Sequence, residues 1–197
     1  MQYAGRAAGG AEDDPLYTWS FALGSLIQEA VFLLVVLAIA GFSVERLGLR
    51  LPARKALAIG LTVAGFFLIQ AFELAYIAIA DPGNEQGLTP TSWQPSHAFA
   101  YVVNGVIVCT VVPFVEETTF RGLGFYLLRP WGAWFAIVGT GVLFGLSHGL
   151  LLALPIIVVF GCVLGWLREQ TGSVYPGMAL HSAFNLIALV AAVTVHG

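Results

Sequence analysis

The sequence predicts an all-α fold, a polytopic membrane bundle of about six transmembrane helices. Hydrophobic residues make up 58% of the 197-residue chain and charged residues 10%, and the mean hydropathy is +0.87. An ordinary soluble domain carries about 25% charged residues. The apolar residues also fall into runs near the ~20 residues that a helix needs to cross a bilayer core. Because a helix satisfies its own backbone polar groups, lipid can solvate this apolar excess.

The chain is predicted to contain three regions of one bundle. Residues 1–20 hold one Arg against three acids, unlike the basic leader of a signal peptide, and are predicted to form a soluble N-terminal tail. Residues 21–97 are predicted to hold two transmembrane helices and a loop, and residues 98–197 the remaining helices. Pro113 predicts a kink or a break in the long third span. The predicted spans are residues 21–42, 56–80, 98–128, 133–152, 153–167 and 174–195.

Basic residues set the predicted orientation, because Lys and Arg accumulate in short cytoplasmic loops. The first loop contains Arg46, Arg50, Arg54 and Lys55. It is therefore predicted to be cytoplasmic, with both chain termini outside and with Arg129 and Arg168 on the cytoplasmic side. No run of basic residues could follow a phosphate backbone, and the net charge is -3, so nucleic acid is not an expected partner. The lipid bilayer is an expected partner.

Ionisable residues within the predicted spans are candidates for function, because polar groups at membrane depth are costly. They cluster in residues 98–197, on the third, fourth and sixth spans. This cluster consists of Glu116, Glu117, Arg121, His148, His181 and Asn185. Glycines recur every four residues around His148, a spacing that allows close helix approach and predicts that this histidine faces protein.

The spacing of these polar residues places several of them on shared helix faces. Glu117 and Arg121 are four residues apart, so they are predicted to pair as carboxylate and guanidinium. Glu116 is rotated by about 100° from Glu117 and can face a cavity instead. His181 and Asn185 also share a face. A carboxylate and imidazoles that converge on a water molecule, beside an amide donor for an oxyanion, predict a hydrolytic site.

Three motifs resemble the CAAX-protease and bacteriocin-processing (CPBP) family of intramembrane proteases. Residues 116–121 read EETTFR and match its EExxxR motif, residues 144–148 read FGLSH and match FxxxH, and residues 181–185 read HSAFN and match HxxxN. The motifs occur in family order, each on an apolar span, and cover about residues 98–195. The resemblance implies that residues 98–197 form the catalytic core of an intramembrane peptidase.

The resemblance also implies a role for each motif residue. Glu116 would be the base that activates water, helped by His148, and His181 with Asn185 would stabilise the oxyanion. The expected substrate is a membrane-anchored protein or peptide.

Glu117 and Arg121 would support that arrangement. Both a metalloprotease and a metal-free glutamate mechanism are proposed for the family. One Glu and two His would suffice for a catalytic zinc, but no compact motif such as H-E-x-x-H is present. We favour the metal-free mechanism, with no cofactor and no metal ligands, and zinc is the alternative.

Two other function classes fit parts of the sequence. A proton-coupled transporter would use intramembrane Glu and His as a relay, although the repeated halves typical of transporters are not found. A non-catalytic binding or immunity protein could keep the same fold. Glu29 and Glu73 match no motif and are predicted to pair structurally or to line a cavity. The expected location is the membrane, and the Gly- and Ala-rich composition favours a prokaryotic inner (cell) membrane.

Overall fold

A computed structural model describes residues 14–80 and 93–195 of the chain. Within these ranges the structure is helical and contains no strand. Five helices are long and apolar enough to cross a membrane, and a sixth apolar helix, α4, has 15 residues. The prediction of an all-α membrane bundle of about six helices is confirmed. The helices are α1 (Trp19–Ile39), α2 (Lys55–Ala80), α3 (Pro95–Trp131), α4 (Ala133–Ser147), α5 (Leu154–Thr171) and α6 (Tyr175–Val195).

Helix α3 is continuous, so the predicted break at Pro113 does not occur. Two stretches of α3, Ile107–Val111 and Thr118–Gly124, are wound as π-helix, and Pro113 follows the first of them. Proline has no N–H to donate, and a π-turn is one way for a helix to absorb such a local irregularity. The irregularity predicted from Pro113 is therefore a change of helical pitch.

The predicted C-terminal ends of the fourth and fifth spans are wrong by several residues. Helix α4 ends at Ser147, not at residue 152, and Gly149 then adopts a positive φ of 69°. Helix α5 ends at Thr171, not at residue 167, and is followed by Gly172 at φ 66°. Glycine tolerates this left-handed conformation and commonly follows a helix end. The length of an apolar run alone could not locate these helix ends.

Helices α4 and α5 pack at backbone contact through the predicted glycines. A Cβ built on Gly161 would lie 2.8 Å from Gly141 Cα, and one on Gly165 would lie 3.2 Å from Ile137 Cα. Small residues allow membrane helices to approach in this way. This close contact brings the backbone of α5 next to the third and fourth helices, where the polar residues lie.

Residues before α1 pack onto α3. Of the tail predicted over residues 1–20, residues 1–13 lie outside the described residues. Leu16 and Tyr17 are buried, and Asn104 Nδ2 on α3 donates hydrogen bonds to the carbonyl oxygens of Leu16 and Thr18, each at 2.9 Å. The start of α1 is thus fixed to the N-terminal part of α3.

The basic loop between α1 and α2 packs against α3 and against the start of α6. Leu47 is fully buried, and a Cβ on Gly122 of α3 would lie 2.9 Å from Leu47 O. The N–H of Val174, just before α6, donates to Gly48 O at 3.1 Å. The loop therefore supports both α3 and the start of α6 from the Arg-rich end of the bundle.

Gly161→Ala is expected to lower the free energy of unfolding by about 1–3 kcal/mol, because the new methyl group would overlap the Gly141 backbone. Gly60→Ala is the matched control, since a Cβ on Gly60 meets nothing within 4 Å. Thermal unfolding in detergent, followed by circular dichroism, measures both. Equal stability of the two variants would contradict the described contact.

Candidate active site

An ion pair inside α3 forms the buried centre of the site. Arg121 Nη1 donates to Glu117 Oε1 at 2.9 Å, and both side chains are 0% exposed. Arg121 Nη2 donates to Gly161 O of α5 at 3.0 Å, and the guanidinium carbon lies 4.3 Å from the centre of the Phe144 ring. The predicted pairing of Glu117 with Arg121 is therefore present. It connects α3 to both α4 and α5.

His181 of α6 lies between the two adjacent glutamates. Its Nδ1 is 3.3 Å from Glu117 Oε1, and its Nε2 is 3.6 Å from Glu116 Oε2. The side chain of Glu116 is 25% exposed, whereas that of Glu117 is 0% exposed. Helix rotation thus separates the two carboxylates as predicted, with Glu117 inside the protein and Glu116 at a more open position.

A glycine allows α6 to come this close to Glu117. A Cβ on Gly177, one turn before His181, would lie 2.9 Å from Glu117 Oε2. The rings of Phe144 and Phe160 meet His181 edge to face, with centroid distances of 5.6 and 5.3 Å. The imidazole therefore has acidic groups on one side and an apolar aromatic wall on the other.

His148 directly follows the last residue of α4 and packs against the Phe144 ring. Its Nδ1 is 2.8 Å from Phe144 O, and the two ring centroids are 4.6 Å apart. Over the described residues His148 forms no ion pair with Glu116. The structure thus places both motif histidines against one phenylalanine, and brings only His181 into contact with the glutamates.

Asn185 hydrogen-bonds to the backbone of α3. Its Nδ2 donates to Val108 O at 2.8 Å, within the first π-helical stretch. A side-chain amide has two N–H donors, so this bond uses one of them. Four predicted site residues form a continuous chain of contacts, whereas His148 and Asn185 each bond to a backbone carbonyl oxygen. That chain consists of Glu116, His181, Glu117 and Arg121.

The residues suited to zinc do not form a ligand set in this part of the chain. Over residues 14–80 and 93–195, no group of three or more His, Cys, Asp and Glu side chains is placed to hold a metal ion. Glu116 and His181 lie together, but His148 does not join them. The arrangement of these side chains does not fit a three-ligand metal centre.

Comparison with protein families matches residues 98–187 to the family described as Type II CAAX prenyl endopeptidase Rce1-like. This segment, called the Rce1-like segment below, is therefore similar to that family. The Rce1-like segment begins with α3 and ends within α6, so it contains all six candidate residues. The resemblance drawn from the three motifs is confirmed, and the family supports an integral membrane endopeptidase of the CAAX type. Neither the comparison with curated proteins nor that with solved structures finds a match.

Glu29 is a buried acid near Glu116 that lies outside the Rce1-like segment. It lies on α1, is 5% exposed, and its carboxylate is within electrostatic range of Glu116. The prediction of a structural or cavity-lining role did not connect it with Glu116. The feature of the sequence that indicated a role for Glu29 was an acidic residue in the middle of a predicted membrane span. Glu73, on α2, is half-buried.

Arg121→Ala is expected to lower the free energy of unfolding by about 3–5 kcal/mol, because it leaves Glu117 as an uncompensated buried charge. Arg54→Ala, at an exposed position in the basic loop, is the matched control and should shift stability by no more than about 0.5 kcal/mol. Unfolding of both variants in detergent provides the measurement. A stable, fully active Arg121→Ala protein would remove the ion pair from the description of the site.

Proposed function

We propose that this chain is an intramembrane endopeptidase that cleaves a membrane-anchored protein or peptide with a water molecule activated by Glu116, without a metal. The observation that carries this proposal is the position of His181 between Glu116 and Glu117, with Arg121 behind them, inside an Rce1-like segment. This arrangement offers a base, an oriented imidazole and a fixed countercharge in a site largely closed to solvent.

In the proposed reaction Glu116 acts as the general base. Its partial exposure leaves a carboxylate oxygen accessible to a water molecule, unlike the enclosed Glu117. Glu116 would take a proton from water while the water oxygen attacks the carbonyl carbon of the substrate. It would then give that proton to the amine as the carbon–nitrogen bond breaks, so the base is regenerated.

Glu117 is proposed to orient His181 and does not itself react. A carboxylate facing Nδ1 favours the imidazole with a proton on that nitrogen, which directs Nε2 toward Glu116. When Nε2 is also protonated, it can donate a hydrogen bond to the developing oxyanion. Arg121 holds Glu117 in place through its hydrogen bond, so the guanidinium acts through Glu117 and His181.

His148 is proposed to act on the attacking water, and Asn185 is proposed to act on the oxyanion. With Nδ1 of His148 donating to Phe144 O, its Nε2 is an acceptor that could assist deprotonation of the same water. Asn185 retains a second amide N–H beside the one bound to Val108 O, and this donor is proposed to contact the oxyanion. The roles predicted from the sequence are thus retained in this proposal, and His181 is the histidine that lies next to Glu116.

Glu116→Gln is expected to reduce turnover at least about 100-fold, the lower end of the effect of losing a general base, while membrane insertion and folding persist. Glu45→Gln repeats the same chemical change in the exposed first loop and should leave turnover unchanged. Membrane proteins that remain uncleaved in cells carrying Glu116→Gln identify the substrate, whose cleavage by purified protein is then measured.

The double variant with His148→Ala should be little slower than either single variant, as is common for residues that act as a unit. A folded Glu116→Gln protein that cleaves this substrate at the normal rate would refute Glu116 as the base. Absence of any cleavage by the unmodified protein would favour the non-catalytic alternative.

Treatment with a strong chelator is expected to leave peptidase activity intact, because the proposed base and oxyanion donors are all protein groups. Elemental analysis of the active protein should find no stoichiometric zinc. Loss of activity on chelation, with recovery on addition of zinc and not of magnesium, would replace the metal-free mechanism by a metal-dependent one.

A further inference from the structure

The positive charge of this chain is concentrated at one end of the bundle. Of the eight Lys and Arg residues, six lie in the first loop, at the start of α2 or at the adjacent ends of α3 and α5, and the acids Glu45 and Glu169 lie among them. These six residues are Arg46, Arg50, Arg54, Lys55, Arg129 and Arg168. This end therefore presents an excess of positive charge where the helices reach the membrane surface.

Two of these arginines are packed around a junction of close backbone contacts. Arg168 Nε donates to Arg121 O at 3.0 Å, and a Cβ on Gly48 would lie 2.6 Å from the Arg168 guanidinium carbon. Arg50 Nε donates to Gly172 O at 3.0 Å, and a Cβ on Gly172 would lie 2.9 Å from Arg50 Nη2. Both guanidinium groups are thus held at the same junction, where the N–H of Val174 donates to Gly48 O at 3.1 Å.

Neither guanidinium contacts a carboxylate in the described part of the chain. Glu169 is bound by Arg129 through two hydrogen bonds, at 2.9 and 2.8 Å. Glu45 accepts a hydrogen bond from Ser43 at 3.1 Å and interacts with Arg50 only at longer range. Arg50 and Arg168 each engage a backbone carbonyl through Nε, which leaves the terminal NH₂ groups available to an anion.

We propose that Arg50 and Arg168 together form a binding site for the phosphate group of an anionic phospholipid. Paired guanidinium groups bind phosphate through several charge-assisted hydrogen bonds, and an anionic ligand between them would compensate their positive charges. Basic residues at the cytoplasmic end of membrane helices are suited to anionic headgroups. Arg50 is exposed and Arg168 half-buried, so a headgroup reaches the pair from the membrane surface.

The position of the pair favours a lipid over the peptide substrate. Arg168 contacts the backbone of Arg121, and fully buried residues of α5, including Leu164 and Leu167, fill the interior next to it. A substrate held at Glu116 would have to cross this packed layer to reach the two arginines. A phospholipid in the surrounding leaflet would not.

Native mass spectrometry of the full-length protein in detergent, titrated with phosphatidylglycerol or with phosphatidylcholine, tests the site without reference to catalysis. We expect phosphatidylglycerol to bind at least about tenfold more tightly than phosphatidylcholine, since a tenfold ratio is about 1.4 kcal/mol. Arg50→Gln should abolish most of this preference. Arg54→Gln removes the same charge from a neighbouring exposed position and should lower the affinity by at most about fivefold, the effect of one diffuse surface charge.

Arg50→Lys separates a shaped site from diffuse attraction, because lysine keeps the charge but not the planar fork of donors. The proposal expects Arg50→Lys to lose phosphatidylglycerol affinity nearly as strongly as Arg50→Gln, with unfolding temperatures of all variants measured in parallel. Equal losses for Arg50→Gln and Arg54→Gln, or unchanged binding by Arg50→Lys, would overturn it. So would an Arg50→Gln protein that binds phosphatidylglycerol normally but binds its peptide substrate more weakly.

Discussion

The buried ion pair between Arg121 and Glu117 imposes the strictest condition on this structure. Both side chains are fully enclosed, and a charge removed from water is tolerated only where a partner and hydrogen bonds compensate for the lost hydration. Arg121 therefore needs the carbonyl of Gly161 as well as Glu117, and Glu117 needs an additional donor, which His181 provides. Three other helices are thus drawn against α3 by one pair of charges.

Glycines make this convergence sterically possible. Gly161 and Gly141 allow α5 and α4 to touch, which brings Gly161 O within reach of Arg121, and Gly177 leaves room for the Glu117 carboxylate against α6. At each of these positions a methyl group would occupy space that a backbone or charged atom already fills. Close packing and electrostatic compensation therefore depend on each other here, because the polar contacts form only where glycines let the helices approach closely.

The sequence predicted the parts of the site that depend on one helix at a time. The spacing of Glu117 and Arg121 gave their ion pair, and the rotation of Glu116 away from Glu117 gave their different exposure. Contacts between helices were not accessible to such reasoning, because they depend on helix ends and on pitch. The early end of α4 at Ser147 places His148 against Phe144, and the π-helical stretch of α3 presents Val108 O to Asn185. The proximity of Glu29 to Glu116 likewise required the packing of α1 against α3.

The π-helical stretches of α3 also determine how this helix tolerates changes in length. A π-turn holds an extra residue relative to the α-helix around it, and it leaves carbonyl oxygens without their usual intrahelical partner; in α3 such oxygens receive Asn185 and Arg168 from other helices. Removing one residue between 118 and 124 and returning to α-winding would leave the rest of α3 in the same orientation, because the π-helical stretch absorbs its surplus residue locally. The surplus residue therefore changes which carbonyl oxygens of α3 are free to bond to other helices, and it does not change the orientation of the Arg-rich end relative to Glu116 and Glu117.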